Sequence, residues 1–193
     1  MDFRQRTMPP AVDGSEVAEW KQCFGDARQV GYVTTDLMKA IRFFIDNARI
    51  GPWFVAADRY LRQVNYRGTI MDVKLSTAHA NSGGMQIEII EPDPLQQSIY
   101  SEWLAHQGTR TLVQHLAWWV PDFQAALRLA RARGYEAILH GSAVQGGFAY
   151  FQHPAMPEFT LEATEITPAR TAKYELIAKA AERWDGSEPV RFL

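Results

Sequence analysis

Four side chains of types that bind divalent cations stand at matching places in a duplicated segment: Gln29, Glu88, His115 and Glu162. Residues 29–42 read Gln-Val-Gly-Tyr-Val-Thr-Thr-Asp-Leu-Met-Lys-Ala-Ile-Arg, and residues 115–128 read His-Leu-Ala-Trp-Trp-Val-Pro-Asp-Phe-Gln-Ala-Ala-Leu-Arg. Gln29 heads the first copy and His115 the second. Glu88 and Glu162 fall in the apolar stretches Ile87-Glu88-Ile89 and Leu161-Glu162-Ala163, which close the two copies. A carboxylate facing a core without a partner costs more than a fold can supply. One solution is a divalent ion held by three oxygens and one imidazole nitrogen, its charge balanced by two carboxylates, with room left for water or substrate. The other is the wet face of an antiparallel sheet, where glutamates need no metal. Spacing alone leaves both open.

The elements that must position these residues follow from periodicity. Val30–Thr34 reads as a strand, Asp36 as a helix cap, and Leu37, Ala40, Ile41, Phe44 and Ile45 as the buried stripe of a helix that ends at Gly51-Pro52. Strands are expected from Trp53, over Tyr60–Tyr66, Thr69–Leu75 and Met85–Glu91, with Ala78–Gly84 as a loop. A linker helix carries Ile99, Trp103 and Leu104 and stops at Gly108. The second copy repeats the order, with a strand over Leu112–Val120, a helix capped by Asp122, and strands at Tyr135–Leu139, Ala149–Gln152 and Phe159–Glu165. A last helix is expected over Tyr174–Trp184. The predicted organisation is an extension (1–25), a first βαβββ module (26–92), a helical linker (93–109), a second βαβββ module (110–166) and a C-terminal helix and tail (167–193). Alternation along a strand puts Gln29, Gly31 and Val33 on one face, and likewise Gln86, Glu88 and Ile90, His115, Ala117 and Trp119, and Thr160, Glu162 and Thr164. Trp119, Tyr150 and Phe54 are candidates to line a substrate pocket.

Composition sets the limits. With 193 residues, 47% apolar and 22% charged, the chain has the make-up of an ordinary globular protein with a proper core. A net charge of −2 without a basic block argues against nucleic acid as a partner. No apolar run reaches membrane-spanning length, and the charged N-terminus lacks the apolar run of a signal peptide. Cys23 is the single cysteine, so no disulfide forms within the chain, and a cytoplasmic location is expected.

At these residues the chain resembles the vicinal oxygen chelate superfamily, which includes glyoxalase I, methylmalonyl-CoA epimerase, extradiol dioxygenases and the bleomycin- and fosfomycin-resistance proteins. The stretches that carry the resemblance are Gln29–Leu37, Gln86–Pro92, Gln114–Val120, Phe151–Pro154 and Phe159–Ala163. It implies an α+β fold of two tandem βαβββ modules that pair into an open, barrel-like mixed sheet around a metal-binding cleft. It assigns the metal to Gln29, Glu88, His115 and Glu162, an order like that of zinc-dependent glyoxalase I, with cobalt, nickel or manganese as alternatives. The implied activity is metal-dependent proton transfer next to a carbonyl (isomerase, epimerase or a lyase like lactoylglutathione lyase) on a small carbonyl or thioester substrate. The catalytic carboxylates would be Glu162, Glu88 and, by analogy with the epimerase, Asp72. A homodimer is expected. The superfamily also contains non-catalytic small-molecule-binding proteins and dioxygenases. Gln29 breaks the two-histidine, one-glutamate iron pattern of the latter.

Overall fold

The structure is a computed structural model that describes residues 10–107, 111–143 and 146–193. The start of the N-terminal extension and the helix stop expected at Gly108 lie outside the described residues.

The first module runs β1 (Ala27–Thr34), α2 (Leu37–Phe43), β2 (Trp53–Tyr66), β3 (Thr69–Ser82) and β4 (Met85–Pro92). The second runs β5 (Thr111–Val120), α4 (Phe123–Ala132), β6 (Glu136–Ala143), β7 (Gly146–His153) and β8 (Met156–Glu165). Helix α1 (Gly14–Phe24) precedes them, α3 (Ile99–Gln107) joins them, and α5 (Pro168–Glu182) and β9 (Val190–Phe192) follow. The Asp caps act as read from sequence: Asp36 accepts from the Lys39 amide and Asp122 from the Ala125 amide. After Phe43, α2 widens into a π-helical turn over Phe44–Ala48 and ends at Arg49 in the left-handed region. That turn keeps Phe44 against Tyr32 and Trp53.

In each module the first strand pairs parallel with the last, β1 with β4 and β5 with β8. Parallel pairing needs a crossover, which α2 and α4 begin. The modules meet through the antiparallel pair β1–β5, and the order around the sheet is β3-β4-β1-β5-β8-β7-β6-β2, with β2 also pairing β3. Eight strands therefore form a barrel-like mixed sheet. Its last seam, β2–β6, is zipped among the described residues at two residue pairs, Asn65 with His140 and Tyr66 with Leu139, so the barrel gapes along that side. β9 adds to the free part of β2 in parallel.

Three apolar clusters hold this arrangement. One packs α2 on the outside of the first module around Trp53, Ile41 and Ile89. A second packs α4 on the second module around Phe151 and Leu161, with Trp20 and Phe24 of α1 stacked against it. The third fills the barrel interior beneath the cavity, where Tyr100 of α3 meets Tyr150, Phe148, Val33 and Ile90. Of the residues expected in the loop Ala78–Gly84, Ala78–Ser82 belong instead to β3, which pairs with β4 as far as Ser82 opposite Met85, and Gly83-Gly84 form the turn. The last helix starts six residues before the expected Tyr174. Thr167 caps it and Pro168 occupies its first turn, a start signal present in the sequence.

Candidate metal centre

The parallel pairs bring the two halves of the duplicated set together. Gln29 lies opposite Gln86 and Gly31 opposite Glu88 across β1–β4, Gly31 faces His115 across β1–β5, and Ala117 lies opposite Glu162 across β5–β8. Glu88, His115 and Glu162 each offer a ligand atom within 4.8 Å of the others, inside the barrel. His115 Nε2 is 3.0 Å from Glu162 Oε2 and 3.4 Å from Glu88 Oε2. Gln29 lines the same cavity; its amide nitrogen donates to Gln86 Oε1 at 2.8 Å, which leaves its oxygen as the atom available to a cation.

Local structure explains how each side chain is aimed. Tyr32 pairs with Val113 and Gly31 with His115, so Gln114 is the extra residue of a bulge in β5. The bulge turns both Gln114 and His115 inwards, and both are buried. Gln114 Oε1 sits 2.6 Å from His115 Nδ1 and accepts its proton, which points the Nε2 lone pair at the carboxylates. Gly31 makes the space, since a Cβ there would stand 1.8 Å from the imidazole Cε1. Thr164, one strand step beyond Glu162, donates its hydroxyl to Glu162 Oε1 at 2.6 Å and leaves Oε2 facing His115.

Burial alone works against an imidazolium at His115. The Glu162 and Glu88 carboxylates outweigh it and push the pKa up to about 9. Burial likewise opposes ionisation of Glu88, but His115 and His79 outweigh it and hold this carboxyl well below the usual carboxylate range. Two carboxylates against one imidazolium still leave an excess negative charge in a buried site. His115 Nε2 and Glu162 Oε2, although 3.0 Å apart, are not aligned as a hydrogen bond, and neither has a hydrogen-bond partner among the described residues. Unpartnered buried polar atoms beside excess negative charge are what a divalent cation would satisfy, displacing the imidazole proton, and an imidazole with carboxylate oxygens is a donor set that zinc and its neighbours accept. The residues fit the ion.

The remaining expected site residues divide. Tyr150 lines the cavity and meets the His115 ring edge-on at 5.1 Å. Trp119 stands at its border, stacked at 4.3 Å on Tyr174, which does line it. Phe54 is buried on β2 opposite His79, with Arg191 over its ring, and does not reach the cavity wall. Asp72 requires a correction. Val73, Leu75, Thr77 and His79 share one face of β3, so Asp72 has the opposite parity. It lies away from the three ligands, accepting from the Arg62 guanidinium and the Gln63 amide. In its place β3 supplies His79, a residue missed because its stretch read as loop. His79 Nε2 is 3.0 Å from Glu88 Oε1. Burial, reinforced by the Lys173 charge and opposed by Glu88, pushes the His79 pKa below the usual histidine range. Alternation from Val73 through three two-residue steps was the signal that could have found it.

The cavity above these groups has a volume of about 430 Å³. Its floor is Glu88, Glu162 and Gln29, its sides include Tyr150 and Tyr100, and α5 closes part of its mouth with Arg170, Lys173 and Tyr174. Fold and site together define a tandem βαβββ barrel with a buried Glu/His/Glu candidate metal centre. The chain belongs to the glyoxalase/bleomycin resistance protein/dioxygenase superfamily, whose pattern matches residues 28–151. Among solved structures it is similar to methylmalonyl-CoA epimerase from Mycobacterium tuberculosis, at 18% identity and a TM-score of 0.56 over 78% of this chain and 94% of that one. It is also similar to a variant of the Streptomyces coelicolor methylmalonyl-CoA epimerase in complex with 2-nitronate-propionyl-CoA, at 17% identity and a TM-score of 0.51 over 74% and 94% of the two chains. At these identities the likeness is one of fold. No curated protein matches the sequence significantly.

Proposed function

We propose that this protein is a metal-dependent enzyme that moves a proton next to a carbonyl, as an isomerase, epimerase or lyase, on a small carbonyl or thioester substrate. The observation that carries the reading is the convergence of Glu88, His115 and Glu162 on one point inside the barrel, with His115 Nε2 and Glu162 Oε2 left unpartnered. A divalent ion held by these three and Gln29 would supply Lewis-acid polarisation of a substrate carbonyl, a contribution of several kcal/mol to the developing negative charge.

The rest belongs to the chain. Glu162 is the base. Thr164 fixes one of its oxygens, which sets the orientation of the carboxylate; Oε2 would have to leave the ion as substrate binds in order to take the α-proton. Glu88, paired with His79, would be the second proton carrier, taking up a proton before it gives one to the carbanion. Return of the proton to the same carbon from the opposite side gives an epimerase; return to a neighbouring atom gives an isomerase. Tyr100 and Tyr150 stay protonated because burial raises both pKa values, so they can donate hydrogen bonds without competing as bases. The apolar sides around them keep water from reprotonating the carbanion at random. The likeness to epimerase structures makes methylmalonyl-CoA a natural first substrate, and the hemithioacetal of methylglyoxal and glutathione a second.

The test is α-proton exchange in deuterated water, followed by NMR, on zinc-, cobalt-, nickel- or manganese-loaded protein with these two compounds and a series of 2-oxo acids. Wild type is expected to exchange at least one of them, and Glu162→Gln to slow that exchange by about 10²–10⁴-fold. Exchange that survives E162Q unchanged, or its absence with every compound in metal-loaded protein, would count against the proposal.

A further inference from the structure

Helix α5 lies beyond the residues that match the superfamily pattern, yet it places three side chains in the wall of the cavity. Four cations line that wall: Arg59 and Arg62 of β2, and Arg170 and Lys173 of α5. Two of them are already engaged. Arg62 pairs with Asp72, and the Arg170 guanidinium donates to the Gly147 and Glu165 carbonyls. The Lys173 and Arg59 side chains make no hydrogen bond and no ion pair among the described residues. Lys173 is held in place from both sides, by Arg170 anchored to the second module and by Tyr174 stacked on Trp119.

We infer that Lys173 and Arg59 form an anion-binding subsite above the metal centre, so that the substrate carries a carboxylate or phosphate in addition to its carbonyl. This rests on the carbonyl chemistry proposed above. The charge balance supports it. Once a divalent ion neutralises Glu88 and Glu162, Lys173 and Arg59 remain in the cavity lining without an ion pair among the described residues. Lys173 already bears the strain of this: burial lowers its pKa, Glu88 opposes that, and the charges of Arg170 and Arg59 add to it. An anion between Lys173 and Arg59 relieves the repulsion and gains charge-assisted hydrogen bonds. Lysine gathers such a group as a point charge, and arginine can grip two of its oxygens.

Nitronates are planar analogues of an enolate, so they report on both halves of the site. Freshly ionised 1-nitropropane, 3-nitropropionate and 3-nitropropyl phosphate are titrated into zinc-loaded protein by calorimetry. One or both of the anionic compounds is expected to bind about tenfold or more tighter than 1-nitropropane, and the tighter of the two identifies the anion. K173M and R59M should each shrink this advantage severalfold while leaving the affinity for 1-nitropropane unchanged; R62M should keep it. Arg59 is exposed, so R59M serves even if K173M disturbs α5. Equal affinity for all three compounds, or an advantage that K173M and R59M leave intact, overturns the subsite and leaves the enolate reading standing. Binding of the anionic compounds alone, dependent on Lys173, supports the subsite and contradicts the enolate reading. Binding of none rejects both.

Discussion

His115 carries the most informative chemistry of any single residue. Its pKa, pushed up to about 9 by Glu162 and Glu88 against the effect of burial, has two consequences of opposite sense. In metal-free protein a raised histidine pKa contributes stability that is fully present below the unfolded value of 6.5 and is lost as pH rises through about 9. The melting temperature of chelator-treated protein should therefore fall across that window. A bound cation requires the neutral imidazole, so binding expels the proton, and the apparent zinc affinity should climb about tenfold per pH unit up to about pH 9. Calorimetry in buffers of different ionisation enthalpy would count the released proton. Thr164 makes a finer point. If its hydroxyl orients Glu162, then Thr164→Val should lower the exchange rate by about tenfold with metal content unchanged, and Thr164→Ser should restore it.

At the scale of elements, the site depends on one irregularity in β5 and one absent side chain in β1. The bulge at Gln114 turns two successive side chains inwards, and Gly31 opposite them leaves room for the ring. Gly31→Ala is expected to destabilise the protein by about 1–3 kcal/mol through overpacking and to weaken zinc binding at least tenfold, because the methyl group and the imidazole cannot share the space. Denaturant melts paired with zinc titrations would check both; unchanged zinc affinity would mean that His115 is not the ligand. Strand parity is what the sequence makes legible: alternation groups Gln29 with Gly31, Glu88 with Gln86, and Glu162 with Thr160 and Thr164, and leaves open which of these faces points inwards. Parity also explains what misled. Asp72 came from an alignment by likeness, and one residue step along β3 turns a side chain from the cavity to the outside. His79 was hidden because small and polar residues from Ala78 to Gly84 look like a loop, although Ala78–Ser82 pair with β4 as strand and the turn is confined to Gly83 and Gly84. The bulge left no such trace, for nothing in Val113-Gln114-His115 announces an extra residue.

At the scale of the whole molecule, duplication explains why the ligands are split between distant parts of the chain. Each βαβββ module alone presents half a site: a strand head from its first strand and a glutamate from its last. Only the β1–β5 seam between modules brings Glu88 to His115 and Glu162. The offset of 86 residues between the repeats made this pairing readable, since equivalent positions in a duplicated fold meet near its pseudo-symmetry axis. The contribution of α5 was not readable in the same way. Its Thr167-Pro168 start is a recognisable signal, but which face of the barrel it covers depends on packing between residues far apart in sequence. No described helix is long and apolar enough to cross a membrane. The proposed chemistry depends on the metal. Titrating zinc or cobalt(II) into chelator-treated protein by calorimetry, with the cobalt form also followed by its visible absorption, tests that claim most directly. One ion per chain is predicted, with affinity reduced at least a hundredfold in both His115→Ala and Glu162→Ala while circular dichroism shows the fold retained. Absence of binding by the wild-type protein, or binding that both variants preserve, would contradict a centre built from Glu88, His115 and Glu162.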